Sequence, residues 1–92
     1  MLIPTTKQRR ADKIVGQTLK AVRKASGLTQ KQVAARLHTS QTLVSDTERG
    51  KRSIRTAEVI VYAYGIQTTP QKLFELIERS LADEGLLPAL KR

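Results

Sequence analysis

Apolar residues recur at helical spacing along most of the chain and are separated by short polar or glycine-containing breaks. Val15, Leu19 and Val22 follow one another at i, i+4 and i+7, which predicts a first helix with one buried face. This helix is expected to begin at or just before Asp12. It should end one or two residues before Gly27, because a glycine there can adopt the left-handed conformation that terminates helices.

The next segment, residues 28–52, predicts two short helices joined by a tight turn. Thr29 can cap a helix that opens at Gln30, and Ser40 can cap a second helix that stops before Gly50. The side chains expected on the inner faces are Val33, Ala34 and Leu37 in the first helix, and Leu43, Val44 and Thr47 in the second.

Two features of this pair suggest a recognition helix. Ala34 is small enough for the two helices to cross closely, with Val44 packed against it. The outer face of the second helix is left with the short polar residues Gln41, Thr42, Ser45 and Asp46. Such side chains suit base edges in the major groove of DNA better than a protein core.

The rest of the chain predicts two more helices. A largely apolar stretch over residues 56–66 reads as a buried fourth helix, with Gly65 near its end. Thr69 and Pro70 form a cap followed by a first-turn proline, which is a helix start. The fifth helix then extends to Gly85 and carries Leu73, Phe74, Leu76, Ile77 and Leu81.

Three segments within residues 28–52 occur in the order typical of one family. They are Leu-Thr-Gln-Lys-Gln-Val-Ala, Ser-Gln-Thr-Leu-Val-Ser and Glu-Arg-Gly-Lys-Arg. They resemble the helix-turn-helix domain of the Xre and lambda-type phage repressor family, which includes restriction-modification controller proteins and many antitoxins. The resemblance covers about Val15 to Phe74. It implies an all-α fold, a five-helix lambda-repressor-like DNA-binding domain with its motif at residues 29–50. The chain departs from the family at His38, where a turn glycine is usual, and at Thr47, where an aliphatic residue is usual.

Outside this domain, assigned to residues 12–85, the sequence predicts a basic arm at residues 1–11 and a tail at residues 86–92. The arm contains Lys7, Arg9 and Arg10 and shows no periodicity. It can be an extension that reaches a phosphate or an adjacent minor groove, or a disordered solubilising segment.

The charge distribution separates the two halves of the chain. The net charge of +9 fits nucleic acid, an anionic membrane surface or an acidic protein. Residues 1–55 carry thirteen Lys and Arg against three acids, whereas residues 56–92 carry four against five. The positive field therefore belongs to the half that contains the motif. Aromatic residues make up only 3% of the chain, which argues against a stacking platform for single-stranded RNA or DNA.

The inventory of reactive residues argues against an enzyme. The chain has no cysteine and one histidine, His38, in a predicted turn, and it shows no paired carboxylates, metal-ligand spacing or glycine-rich phosphate loop. We therefore expect no catalytic residue, metal or cofactor. The N-terminal apolar run is too short for a signal peptide and no stretch is long enough for a membrane span, so we expect a cytoplasmic protein with no membrane partner.

Candidate base-reading residues lie on the second helix of the motif. Gln41 can bond adenine bidentately, and Thr42 can offer a hydroxyl or place its methyl group against thymine. Asp46 can accept from cytosine N4, and Ser45 can contact a base or the backbone.

Candidate backbone contacts surround this helix. Gln30 opens the first motif helix, where the helix dipole favours a phosphate. Arg49, Lys51 and Arg52 lie in the basic loop that follows the recognition helix, and Lys or Arg side chains there can clamp the flanking strand. The resemblance implies that Glu48 is a structural residue that pairs with a basic side chain of the domain.

The C-terminal region carries more apolar surface than one core requires. Leu76, Leu81, Leu86 and Leu87 are the candidate dimer surface. A two-fold dimer would place two recognition helices about 34 Å apart, as a palindromic operator requires. Alternatively, the tail folds back on its own monomer. The function predicted is a sequence-specific transcriptional regulator, a repressor or autoregulator acting as a homodimer; the alternative is an antitoxin whose C-terminal helix binds a toxin protein.

Overall fold

The computed structural model of the protein describes residues 5–90, and within them it contains five α-helices and no strand. These are α1 (Thr5–Ala25), α2 (Gln30–Arg36), α3 (Gln41–Glu48), α4 (Thr56–Gly65) and α5 (Pro70–Asp83). The predicted all-α, five-helix architecture is confirmed. α1 packs against both α5 and α3, while α2 packs against α3 and α4 against α5.

Side-chain caps fix the beginnings of the motif helices. The Thr29 hydroxyl accepts from the Gln32 backbone N–H at 3.1 Å, and the Gln32 side chain accepts from the Thr29 N–H at 2.8 Å, which completes a capping box. Ser40 caps α3 by accepting from Leu43 N at 3.1 Å, and Thr69 caps α5 in the same way. All three predicted caps are therefore confirmed.

The start of α1 differs from the prediction. Residues 1–11 were expected to form an irregular arm, but the helix begins at Thr5, so that prediction is wrong for residues 5–11; residues 1–4 lie outside the described range. Gln, Lys, Arg and Ala in this segment are good helix formers even without an apolar stripe. Gln8 Nε2 also donates to Asp12 Oδ1 at 2.9 Å, and Arg10 pairs with Glu84 of the C-terminal region at 3.5 Å.

The core lies where the five helices converge. Its largest fully buried apolar side chains are Leu19, Val33, Val44, Ile66 and Leu73. Val15 and Val22, predicted to face the core, are partly buried against it, while Ile14 is buried although the pattern did not indicate it. The burial of Ala34 beside Val44 in the same cluster agrees with the predicted close crossing of α2 and α3.

Two backbone positions shape the motif. His38 lies in the turn between α2 and α3 with φ +53°, the left-handed conformation for which the family uses glycine. Gly16 is where α1 meets the end of α3: a methyl group there would lie 2.5 Å from the carbonyl oxygens of Thr47 and Glu48. Because no side chain fits at that distance, glycine sets how closely α1 approaches α3.

The C-terminal tail turns back along the monomer. α5 ends in a Schellman motif, in which Leu86 N donates to Leu81 O and Gly85 N to Ala82 O, both at 3.0 Å. Leu86 and Leu87 then line a groove with Leu81 and with Ala11 of α1. Leu86 and Leu87 thus follow the fold-back alternative, whereas Leu90 stays 95% exposed.

Candidate nucleic-acid interface

A buried ion pair joins α1 to the end of α3. Arg23 donates to both carboxylate oxygens of Glu48, with Nη2 to Oε1 at 3.0 Å, and the two side chains are only 8% and 1% exposed. Arg23 Nη1 also donates to Leu28 O at 2.8 Å, just before α2. Hydrogen bonding to Glu48 raises the pKa of Arg23, so the buried guanidinium stays charged. The prediction that Glu48 is structural and pairs with a basic residue is confirmed.

Gln30 belongs to this same network. Its Nε2 donates to Glu48 Oε1 at 2.9 Å, so the side chain is held at the start of α2, beside the carboxylate. Since an amide nitrogen carries two hydrogens, this bond leaves one donor for a further partner. The predicted phosphate contact of Gln30 is compatible with this arrangement and stays a prediction.

The predicted base-reading residues share the outer side of α3 but are not equally accessible. Gln41 and Thr42, in the first turn, are exposed, whereas Ser45 and Asp46 are half-buried. Asp46 Oδ1 accepts from Arg49 Nη2 at 3.0 Å, so these two predicted DNA contacts are paired with each other. The first turn of α3 is therefore the most accessible part of the predicted reading face.

The basic loop after α3 is fastened to α1. Gly50 has φ +71°, and a methyl group on it would lie 2.6 Å from Lys13 Cα. Ser53 Oγ donates to Asp12 Oδ2 at 2.7 Å on the same side of α1. Lys13 thus adds an exposed cation beside the basic loop. Spacing along the chain did not single out Lys13 for this position, because the contact depends on how the loop packs against α1.

Arg52 has an intramolecular role that its prediction as a backbone contact did not include. It donates to Thr47 Oγ1 at 3.0 Å and to Glu58 Oε2 at 2.6 Å, which links α3 to α4. Its hydrogen bond lowers the pKa of Glu58. The Thr47 hydroxyl in turn donates to Leu43 O at 2.7 Å. A buried threonine therefore replaces the usual aliphatic residue without leaving its hydroxyl unpaired.

The predicted dimer residues are mostly covered within the monomer. Leu76, Leu81 and Leu86 are half-buried, and Leu81 packs against the core. Leu87 is 43% exposed. The other large apolar side chains exposed in residues 5–90 are Ile60, Val61 and Tyr64 of α4, Phe74 of α5 and Leu90 of the tail.

Two further findings concern residues 5–90 as a whole. None of their helices is long and apolar enough to cross a lipid bilayer. Nowhere in that range do three or more His, Asp or Glu side chains gather in a group that could hold a metal ion.

Sequence comparisons agree with this geometry. The family described as "Helix-turn-helix domain" matches residues 14–76. The immunity repressor protein of Bacillus phage phi105 is 40% identical over 57 residues, which are 60% of this chain and 40% of that protein. The chain thus spans about two fifths of the length of the curated relative it matches.

Solved structures share the fold. An XRE-family like protein from Pseudomonas syringae superposes with a TM-score of 0.66 and 32% identity, covering 80% of this chain and 85% of that one. The restriction-modification controller protein C.AhdI from Aeromonas hydrophila superposes with a TM-score of 0.62 and 29% identity. The match covers 67% of this chain and 94% of that one. The clp gene regulator ClgR from C. glutamicum superposes with a TM-score of 0.71 at 17% identity, covering 77% of this chain and 92% of that one. At so low an identity the likeness is one of fold alone.

The ion pair leads to a stability prediction. Glu48→Ala leaves Arg23 buried without its carboxylate, and we expect the free energy of unfolding to fall by about 3–5 kcal/mol. Urea unfolding followed by circular dichroism measures this loss. Asp46→Ala is the matched control, because it removes an exposed ion pair and should cost less than about 1 kcal/mol.

The double variant Arg23→Met, Glu48→Met tests whether the loss of stability in Glu48→Ala comes from the unpaired charge of Arg23 or from lost packing. It should recover most of the stability, since both charges are then removed from the core. A Glu48→Ala protein as stable as Asp46→Ala would contradict the role assigned to the pair.

Proposed function

Since the chain belongs to the Xre-type helix-turn-helix family, we propose that it is a sequence-specific double-stranded-DNA-binding regulator of transcription. It acts as a repressor or autoregulator and binds a palindromic operator as a homodimer. The family is one of DNA-binding regulators and not of enzymes. The observation that carries the proposal is the exposed first turn of α3, which is held in place by the buried Arg23–Glu48 pair.

Base reading is assigned to the outer side of α3. Gln41 is exposed and can present both its carbonyl oxygen and its N–H to adenine, while Thr42 beside it can contact a thymine methyl group. Ser45 and Asp46 come one turn later and are less accessible. For Asp46 to accept from cytosine N4, its carboxylate has to share or exchange the hydrogen bond from Arg49.

Backbone contacts are assigned to the cations around α3. Lys51 is exposed and takes no part in the ion pairs of residues 5–90. Arg49 can turn from Asp46 to a phosphate, because an exposed pair holds it only weakly. Arg52 and Gln30 remain candidates for backbone contacts. Their hydrogen bonds, from Arg52 to Glu58 and from Gln30 to Glu48, hold the two side chains in place.

A dimer contact is best placed on the outer face of α5. Phe74 is 39% exposed and lines a groove with Leu81 and Leu87. Residues 56–92 have nearly balanced charge, whereas residues 1–55 are strongly positive, so two copies can associate through this half without repulsion. Leu76 and Leu86, which are half-buried in the monomer, have less surface to offer.

The base-reading assignment predicts the effect of removing the Gln41 side chain. Gln41→Ala should weaken binding to the preferred operator by about 1–3 kcal/mol and relax the base preference at one position.

Lys51→Ala should weaken binding to all duplexes alike and reduce the slope of log affinity against log salt by about one. Fluorescence anisotropy on a selected operator and a shuffled duplex, across a salt series, measures both effects.

The control for Gln41 is Gln71→Ala, which truncates an exposed glutamine of α5. It should leave affinity and preference unchanged. If Gln41→Ala kept the full preference of the wild-type chain, the base-reading role of the first turn of α3 would be wrong.

The dimer assignment predicts a change of mass. The double variant Phe74→Glu, Leu87→Glu should sediment as a monomer at concentrations where the wild-type chain is a dimer, because it places charges in the apolar groove. Val61→Glu is the control, since Val61 is 58% exposed on α4 and lines a groove with Leu37 instead. A dimer that survives the double change but dissociates with Val61→Glu would move the contact to α4.

A further inference from the structure

Four cations of α1 form a row along one side of the helix. Successive residues of an α-helix turn by about 100°, so Arg9, Lys13, Lys20 and Lys24 fall within about 60° of arc. All four are exposed. At about 1.5 Å per residue the row is about 22 Å long. We call these four residues the α1 cation row.

The row lies next to the proposed DNA-binding elements. Lys13 is beside Gly50 of the basic loop, because a methyl group built on Gly50 would lie 2.6 Å from Lys13 Cα. Gly16 and Arg23, which border the row on the helix surface, both contact the end of α3. The row therefore begins beyond the basic loop, at Arg9, and continues past the end of α3.

α5 and the acidic residues of the C-terminal region pack against another side of α1. There Thr18 Oγ1 lies 3.0 Å from Ser80 Oγ, and Arg10 pairs with Glu84. Asp12 is the sole acid of α1, and its carboxylate is occupied by Gln8 and Ser53.

Within the described part of the chain, no member of the row is paired with an acidic side chain. The ion pairs within residues 5–90 use Arg10, Arg23, Arg49 and Arg52, and none uses a member of the row. Four neighbouring positive charges repel one another, and a polyanion placed along them relieves that repulsion. Duplex DNA matches such a row, because each strand presents a phosphate about every 3.4 Å along the axis.

We propose that the α1 cation row is a second phosphate-binding surface, which continues from the basic loop and holds the DNA backbone flanking the base pairs that α3 reads. The inference rests on the proposed function, since it takes double-stranded DNA as the ligand. With the row bound, the stretch of duplex whose phosphates contact the protein is longer than the half-site by about the length of the row. That length corresponds to about six base pairs. The row carries no sequence information, because it contacts only phosphates.

The test compares duplexes of two lengths. One carries only the selected operator, and the other adds about ten base pairs of unrelated sequence at each end. The wild-type chain should bind the longer duplex more tightly and with a steeper salt slope. In the triple variant Arg9→Gln, Lys20→Gln, Lys24→Gln the slope on the longer duplex should fall by about two to three, and the affinity at 0.1 M salt by about tenfold or more.

The control is Lys72→Gln, Arg79→Gln, which removes two exposed cations of α5 that lie outside the row. It should keep the gain from the added base pairs. The row is not a DNA surface if the triple variant keeps that gain, or if the control loses it equally through the change in net charge. Circular dichroism checks that both variants fold.

The two proposals fail in different ways. Equal binding of the wild-type chain to selected and shuffled operators overturns the proposed sequence-specific function, whatever the length of the duplex. Loss of the length dependence with the operator preference intact overturns only the role of the α1 cation row.

Discussion

The position of α3 depends on one buried ion pair. Arg23 and Glu48 are almost fully withdrawn from solvent, and such a pair repays its desolvation only when its geometry is good and its remaining donors and acceptors are bonded. Here the guanidinium bonds both carboxylate oxygens and Leu28 O, and Gln30 bonds the carboxylate as well. One carboxylate thereby fixes the end of α3 relative to α1 and to the beginning of α2.

The same end of α3 is held by two further contacts. Gly16 lets the backbone of α1 touch the last carbonyl groups of α3, and the bond from Arg52 to Thr47 ties α3 to α4 through Glu58. An isolated helix of eight residues is too short to be stable, so α3 depends on these tertiary contacts. Because they gather at its C-terminal end and inner face, its first turn is left open to a ligand.

Features that rest on neighbours in sequence were predictable, and those that rest on distant partners were not. The caps at Thr29, Ser40 and Thr69 need only residues three positions away, so composition and spacing were enough. The partners of Arg52 and the burial of Leu81 depend on how separate helices pack. The helical start at Thr5 was missed because that segment carries no apolar stripe. The role of Glu48 came from the resemblance to the family and not from spacing.

The central claim is that the first turn of α3 contacts DNA, with the basic loop beside it. Chemical-shift mapping tests it most directly: the ¹⁵N-labelled full chain is titrated with a selected operator duplex and, separately, with a shuffled one. The predicted result is that the amides of residues 41–46 shift most, and differently for the two duplexes, while those of residues 49–53 shift alike with both. Shifts concentrated in α4 and α5, with residues 41–46 unchanged, would contradict the claim.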